Sequence, residues 1–251
     1  MSAVNKIAEV TFVFWVMKIC ATTLGETAGD LLSMTLNVGY ATSTLILLTI
    51  FLVTLIAQLK SKTFHPYLYW TVILATSTAG TTMSDFMDRT LGLGYATGAA
   101  VLSICLVICL LSWRHIVGSL SVNQITTQRS EIFYWVTILF SNTLGTALGD
   151  YLADDSGLGF LGGALLVGGI IAITALLYKL TRISHIILFW IAFVLTRPLG
   201  ATFGDLLTKD KPAGLGFGTT GSSIVLALIL MLVVIYASRT ATATQLKYIK
   251  S

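Results

Sequence analysis

Long apolar runs fill most of the chain, and each run is interrupted by only a few polar positions. A run of about 20 apolar residues is long enough to cross a bilayer as an α-helix. The pattern predicts an all-α, polytopic membrane protein with eight transmembrane helices in a single transmembrane domain over residues 1–251. The approximate bounds of these helices are 10–33, 39–59, 68–88, 94–112, 132–153, 159–178, 186–207 and 215–237.

Composition and charge agree with this prediction and add an orientation. Of the 251 residues, 55% are hydrophobic and 10% are charged, and the mean hydropathy is +0.88. These values lie outside the range of ordinary soluble domains. Ten of the 15 Lys and Arg residues fall on one predicted side. Basic residues concentrate on the cytoplasmic side, so both termini are expected in the cytoplasm, in a bacterial inner membrane. We do not expect nucleic acid as a partner.

The chain contains a fourfold internal repeat, in which a tryptophan precedes an aspartate by fifteen residues. The tryptophans are Trp15, Trp70, Trp135 and Trp190, and the aspartates are Asp30, Asp85, Asp150 and Asp205. Spacings of 55, 65 and 55 residues relate two halves by an offset of 120 residues. We expect four parallel helical hairpins, pseudo-symmetric about an axis along the membrane normal. The repeats span about 10–60, 66–116, 130–180 and 186–238.

Each predicted hairpin has a turn in which glycine precedes an aromatic residue. The turns begin at Asn37, Gly92, Gly157 and Gly214, the last after an insertion of two residues. The tryptophans are expected at an aromatic belt on the inner side of the membrane, which places the aspartates about 22 Å deeper. The outer turns are expected to hold solvated charges at Asp88, Arg89, Asp154, Asp155, Lys209, Asp210 and Lys211.

Polar residues recur four apart along the first helix of each repeat, and residues at this spacing share one helix face. The four stripes are Lys18, Thr22, Glu26 and Asp30; Ser77, Thr81 and Asp85; Asn142, Thr146 and Asp150; and Arg197, Ala201 and Asp205. Lipid cannot hydrogen-bond these groups, so the stripes should face one another or line water. Neighbouring glycines permit close helix approach. Lys18 is expected to extend to the cytoplasmic surface, whereas Arg197 lies too deep to do so.

The acids of these stripes are candidate ligands for a cation. Carboxylate oxygens suit manganese, magnesium or calcium better than copper. Five crowded acids cannot all stay ionised without compensation, so we expect a divalent metal to be exported in exchange for protons. The expected metal ligands are Glu26, Asp30, Asp85, Asp150 and Asp205, with Thr22, Ser77, Thr81, Asn142 and Thr146 as auxiliary polar groups and Arg197 and Lys18 as counter-charges or gates.

Two alternatives stay open at this point. In one, each aspartate closes its own helix, Arg197 pairs with one or two acids, and the protein is a scaffold that transports nothing. In the other, the same axis serves a channel or an anion carrier. The sequence contains no Ser-His-Asp, zinc-protease or Walker-type pattern, so we expect no enzyme and no permanently bound cofactor. Expected partners are membrane lipid and the transported ion, and a homo-oligomer stays open.

Four copies of a segment like Thr23–Asp30, each followed by a Gly-aromatic turn, resemble a family of small bacterial membrane-anchored proteins. That family is built from four copies of a repeat of unknown function. The resemblance covers nearly the whole chain and implies an integral membrane location, but it supplies no activity. The first copy is also similar, over a short stretch, to acidic motifs of calcium and manganese cation/proton exchangers. Copies two to four have Thr81, Thr146 and Ala201 in place of Glu26.

Overall fold

A computed structural model describes residues 5–250 of the chain, with side chains for residues 5–240. Residues 1–4 and 251, and with them the termini expected in the cytoplasm, lie outside the described residues. The described chain is all-helical. Its α-helices are α1 (Phe12–Asp30), α2 (Tyr40–Lys60), α3 (Pro66–Asp85), α4 (Tyr95–Val117), α5 (Gln128–Asp150), α6 (Gly159–Leu180), α7 (His185–Thr208) and α8 (Gly218–Lys250).

Six helices in the described part are long and apolar enough to cross a membrane, namely α2, α4, α5, α6, α7 and α8. The second helix of every repeat also carries large apolar side chains on its exposed surface, where lipid can cover them. Examples are Leu45, Ile104, Leu165 and Leu232. The chain is therefore a multi-pass membrane protein. Helices α1 and α3 are not among the six, because serine, threonine and charged residues lower their hydropathy.

The first helices of the four repeats form a closed ring. Helix α1 packs against α3 and α7, and α5 packs against the same two helices. The second helices lie outside this ring, with α2 against α3, α4 against α5, α6 against α7 and α8 against α1. The turn joins the two helices of a repeat as the hairpin prediction requires, but each second helix packs mainly on the following repeat. The outer helices therefore tie neighbouring repeats together.

Small residues let the ring helices approach one another closely. A Cβ atom at Gly29 of α1 would lie 2.8 Å from Thr81 Cβ of α3, and Gly25 lies against Ser77 one turn earlier. Because residue numbers rise together along this contact, α1 and α3 run in the same direction. The other three junctions repeat this contact through Gly80 against Asn142, Gly145 against Arg197, and Gly204 against Glu26.

Three ring helices continue into a π-helical turn directly after the aspartate of the repeat. These turns are Leu31–Thr35, Phe86–Thr90 and Tyr151–Asp155. Such turns are rare, and they occur frequently at functional sites. Helix α7 differs, because it stays α-helical to Thr208. The end of the ring at which the four aspartates lie is called the aspartate end below.

The predicted Gly-aromatic turns are present in three repeats and displaced in the fourth. The backbone angle φ is positive at Asn37, Gly39, Gly92, Gly94, Gly157 and Gly159. In the fourth repeat the positive values are at Gly216 and Gly218, so the prediction that the turn begins at Gly214 is wrong by two residues. The reason is a longer loop after α7, in which the Gly214 amide donates to the Asp210 carbonyl at 3.0 Å.

Aromatic side chains close the opposite end of the ring, which is called the aromatic end. Tyr69 and Tyr134 are fully buried, and their hydroxyl oxygens lie 2.6 Å apart. The ring centroid of Trp135, also fully buried, lies 5.6 Å from that of Tyr69. Trp70 and Trp190 are buried as well. Tilted and edge-on ring contacts therefore hold these three tryptophans among other side chains, and their depth in the membrane stays a prediction.

The substitution Gly29→Ala should destabilise the protein, because its methyl group would lie 2.8 Å from Thr81 Cβ. Overpacking of this kind costs about 1–3 kcal/mol, so the midpoint of thermal unfolding in detergent should fall. Gly169→Ala on α6 is the matched control, since a Cβ there meets no atom within 4 Å. Equal midpoints for the two variants would contradict the close contact between α1 and α3.

Candidate functional site

The predicted polar stripes face one another inside the ring. Their members are all buried, and they are Lys18, Thr22, Glu26, Asp30, Ser77, Thr81, Asp85, Asn142, Thr146, Asp150, Arg197, Ala201 and Asp205. Because the ring helices are parallel and the spacing is four residues, equivalent positions form successive layers along the ring. The four aspartates form the layer at the aspartate end.

Glu26 and Arg197 form an ion pair in the centre of the ring. Arg197 Nη2 lies 2.8 Å from Glu26 Oε2, and the guanidinium is fully buried. The same nitrogen donates to the hydroxyl oxygens of Thr81 at 2.5 Å and Thr146 at 2.6 Å. Both hydroxyls in turn donate to Glu26 Oε2, at 3.3 and 3.4 Å. All four ring helices therefore contribute to one polar network.

Arg89 bridges two of the aspartates. Its Nε lies 2.9 Å from Asp85 Oδ1, and its Nη2 lies 3.4 Å from Asp150 Oδ2. The guanidinium belongs to the π-helical turn after α3 and is about a third exposed, whereas both carboxylates are buried. A planar guanidinium has several donors in a fixed fork, which suits contact with two carboxylates. The arrangement joins α3 to α5 at the aspartate end.

Lys209 bridges the other two aspartates. Its Nζ lies 3.2 Å from Asp205 Oδ1 and 3.5 Å from Asp30 Oδ2. Partial burial acts to lower the pKa of Lys209, but the carboxylates of Asp205 and Asp30 raise it more, so the net shift is upward. The ammonium therefore stays charged at neutral pH, and it joins α7 to α1.

Both bridging cations were expected in solvated turns, and that prediction is wrong for Arg89 and Lys209. A signal was present in the sequence. Each cation follows an aspartate, Asp85 or Asp205, by four residues, and the offset of 120 residues relates the two cations. Side chains four apart meet on a helix face.

Lys18 does not extend to the surface, and that expectation is wrong. Its side chain is fully buried, with Nζ 4.3 Å from the centroid of the Phe193 ring and 3.5 Å from Asn142 Oδ1. The route toward the aromatic end is closed by Tyr69 and Tyr134, one helical turn away. The ammonium therefore points into the ring.

Asp88 is also buried, although a solvated turn was expected for it. Its Oδ2 accepts a hydrogen bond of 3.2 Å from Ser84 Oγ. The carboxylate lies against Gly98 of α4, where the absence of a side chain leaves room for it. Asp154 and Asp155, by contrast, are exposed as predicted for outer-turn residues.

Three of the predicted auxiliary groups do not contact a carboxylate in the described part of the chain. Thr22 Oγ1 donates to the carbonyl of Thr196 at 3.0 Å, and Asn142 Nδ2 donates to Thr76 Oγ1 at 2.9 Å. Ser77 Oγ is buried and has no hydrogen-bond partner among the described residues. In this part of the chain, the predicted auxiliary groups that contact a carboxylate are the two threonines of the central network.

Glu26, Asp30 and Asp205 lie close enough together to hold a metal ion. One carboxylate oxygen from each lies within 4.8 Å of the other two, and all three side chains are buried. Glu26 and Asp30 are one turn apart on α1, and Asp205 belongs to the neighbouring α7. Oxygen ligands in this number and closeness suit a hard cation.

The buried charges form two sections of opposite sign. At the aspartate end, four carboxylates face Arg89 and Lys209, which leaves an excess of two negative charges when all groups are ionised. In the inner section, Glu26 pairs with Arg197 and Lys18 contacts Asn142, which leaves an excess of one positive charge when all groups are ionised. The aspartate end is therefore the more negative of the two sections.

The fold and this site define an α-helical, multi-pass membrane protein built from an internal repeat. The family described as a Repeat of Unknown Function (DUF347) matches the chain four times, at residues 13–64, 68–116, 133–184 and 188–242. The chain belongs to this family, which confirms the resemblance noted from the sequence. Neither a search of curated proteins nor a search of solved structures found a match.

Glu26→Gln should strongly destabilise the protein, because the Arg197 guanidinium would stay buried without a carboxylate. Removing one partner of a buried ion pair costs about 3–5 kcal/mol. Adding Arg197→Met removes the stranded charge and should recover much of this loss. Thermal unfolding midpoints in detergent for both single variants and the double variant measure the coupling. Strictly additive losses would contradict a direct ion pair.

Proposed function

We propose that this protein is a secondary transporter that exports a divalent metal cation in exchange for protons. The main support is the group formed by Glu26, Asp30 and Asp205, whose carboxylate oxygens lie within 4.8 Å of one another at a buried place. Manganese, magnesium and calcium prefer such oxygen ligands. The cation is the transported substrate, and the proposal includes neither a resident cofactor nor a catalysed reaction.

The charge balance supports a divalent substrate. Four aspartates and two bridging cations leave two negative charges in excess at the aspartate end. One divalent ion compensates this excess, and Asp85 and Asp150 are then available as further ligands or proton acceptors. Desolvated ions of one sign are costly without compensation, so the excess itself favours cation entry.

Arg197 supplies the counter-charge in the proposed cycle. Its Nη2 lies 2.8 Å from Glu26 Oε2. A metal that binds Glu26, Asp30 and Asp205 competes with Arg197 and with Lys209 for these carboxylates. Crowded carboxylates cannot all stay ionised without compensation. Departure of the metal therefore favours return of the cationic side chains and uptake of protons, which couples the two fluxes.

We also propose that all eight helices cross the membrane, with the repeats pseudo-symmetric about an axis along its normal. Helices α1 and α3 are more polar than the others, but the ring and the outer helices enclose their polar faces. The distribution of basic residues supports a bacterial inner membrane orientation with cytoplasmic termini and an external aspartate end. Arg89 and Lys209, 32% and 30% exposed, would then line the outer mouth.

One observation favours a second function, that of a scaffold which transports nothing. Arg89 and Lys209 each bridge aspartates of two different ring helices. The same contacts that would regulate a cation site also fasten neighbouring repeats together. Transport measurements on variants that keep the protein folded separate these two functions.

Asp30→Asn and Asp205→Asn should each weaken manganese binding and export at least about tenfold. Loss of groups that merely orient metal ligands already costs about 10–100-fold in affinity, and asparagine keeps the volume of aspartate while it removes the charge. The measurement is manganese flux in proteoliposomes under an imposed proton gradient. Asp154→Asn is the matched control, because Asp154 is exposed.

Three outcomes would contradict the exporter proposal. Flux that is unchanged in both ring variants would exclude these aspartates as ligands. Manganese flux that ignores the proton gradient would favour a channel. Wild-type protein that is folded, yet carries neither manganese, magnesium nor calcium, would favour the scaffold.

The proposed topology predicts that residues 123 and 156 lie on opposite sides of the membrane. In a background in which Cys20, Cys105 and Cys109 are replaced, Ser156→Cys should react with a membrane-impermeant maleimide in intact cells. Asn123→Cys should react only after the cells are opened. Both positions are exposed in the structure, so burial does not limit labelling. Labelling of both sites in intact cells would contradict this topology.

A further inference from the structure

The central arginine uses only part of its hydrogen-bonding capacity. Arg197 makes its contacts with Glu26, Thr81 and Thr146 through Nη2 alone. Its Nε and Nη1 are buried and have no hydrogen-bond partner among the described residues. Donors of a charged group that are buried without an acceptor are costly. The guanidinium therefore has room for a further acceptor at either of these two nitrogens.

Lys18 lies beside the arginine without a carboxylate partner in the described part of the chain. Its Nζ contacts the Phe193 ring at 4.3 Å and Asn142 Oδ1 at 3.5 Å. Phe193 precedes Arg197 by one turn on α7, and Asn142 occupies the equivalent position to Arg197 in the preceding repeat. The ammonium and the guanidinium thus belong to one section of the ring.

The walls of this section are closed and mostly apolar. Ile73, Ile138 and Phe193 occupy the positions equivalent to Lys18 in the other repeats, and all three are fully buried. Tyr69 and Tyr134 close the aromatic end one turn further on. Two positive groups repel strongly in surroundings of low dielectric constant. Glu26 compensates one of them, so with both groups protonated one positive charge in this section is left without a counter-charge.

We propose that the inner section binds a small monovalent anion, of which chloride is the simplest, between Lys18 Nζ and one unpartnered donor of the Arg197 guanidinium. One negative charge balances the excess, and the ammonium and the guanidinium then each make a charge-assisted contact, which is the strongest class of hydrogen bond. Because the side chains around this section are fully buried, we expect a halide rather than a larger oxyanion. The inference rests on these two side chains and not on the proposed cation transport.

The test uses the purified full-length chain in detergent, without added metal and with gluconate as the starting anion. Chloride and bromide should raise the thermal unfolding midpoint in a saturable manner, because an ion that binds only the folded state stabilises it. Lys18→Met should weaken the apparent chloride affinity at least about tenfold, as expected for loss of one charged donor. Lys60→Met is the matched control, since Lys60 is exposed.

A saturable rise that survives in Lys60→Met and is weakened in Lys18→Met supports the anion site. An equal rise with gluconate or sulfate at matched ionic strength would overturn it, as would an unchanged response in Lys18→Met. If Lys18→Met does not fold, equilibrium dialysis of wild-type protein with radiolabelled chloride decides, and absence of bound chloride overturns the proposal. Failure of manganese transport would leave these results unaffected, so the two proposals fail separately.

Discussion

Ionised side chains enclosed by the four ring helices lose the solvation of water and must find opposite charges within reach. The cost of this transfer is several kcal/mol for each ion. Glu26 is held by Arg197 and two threonine hydroxyls, and the aspartates are held in pairs by Arg89 and Lys209. Small residues at the helix junctions bring the backbones close enough for these contacts. Close packing and charge compensation therefore depend on each other.

Much of the polar interior could be predicted because it obeys a simple period. Positions four apart, such as Glu26 and Asp30, must share a face, and a polar face in lipid must turn inward. Contacts made by the turns did not follow from this rule. Arg89 reaches its aspartates from a π-helical turn, whose geometry depends on tertiary packing. The burial of Lys18 depends likewise on which side chains close the aromatic end, and no local pattern specifies that.

The outer helices show a second limit of sequence reasoning. Their residues are apolar on nearly every face, so no stripe identifies the neighbour against which each one packs. Helix α2 packs on α3 and α4 on α5, an exchange between repeats that periodicity alone does not reveal. The start of the turn after α7 is likewise not specified by the sequence pattern, since Gly214, Gly216 and Gly218 all fit it. The backbone angle φ, which is positive at Gly216 and Gly218, separates them.

The exchange of outer helices also constrains how the protein is made. Helix α8 covers the flank of α1, where Ser223 Oγ donates to Thr27 Oγ1 at 2.9 Å and Cys20 Sγ donates to the Leu226 carbonyl at 3.4 Å. Helix α1 is synthesised before α8, so this flank of α1 stays uncovered until α8 has been made. An open solenoid, in which each repeat contacts only its neighbours, can gain or lose whole repeats at its ends. A ring closed in this way is complete only when all four repeats are present.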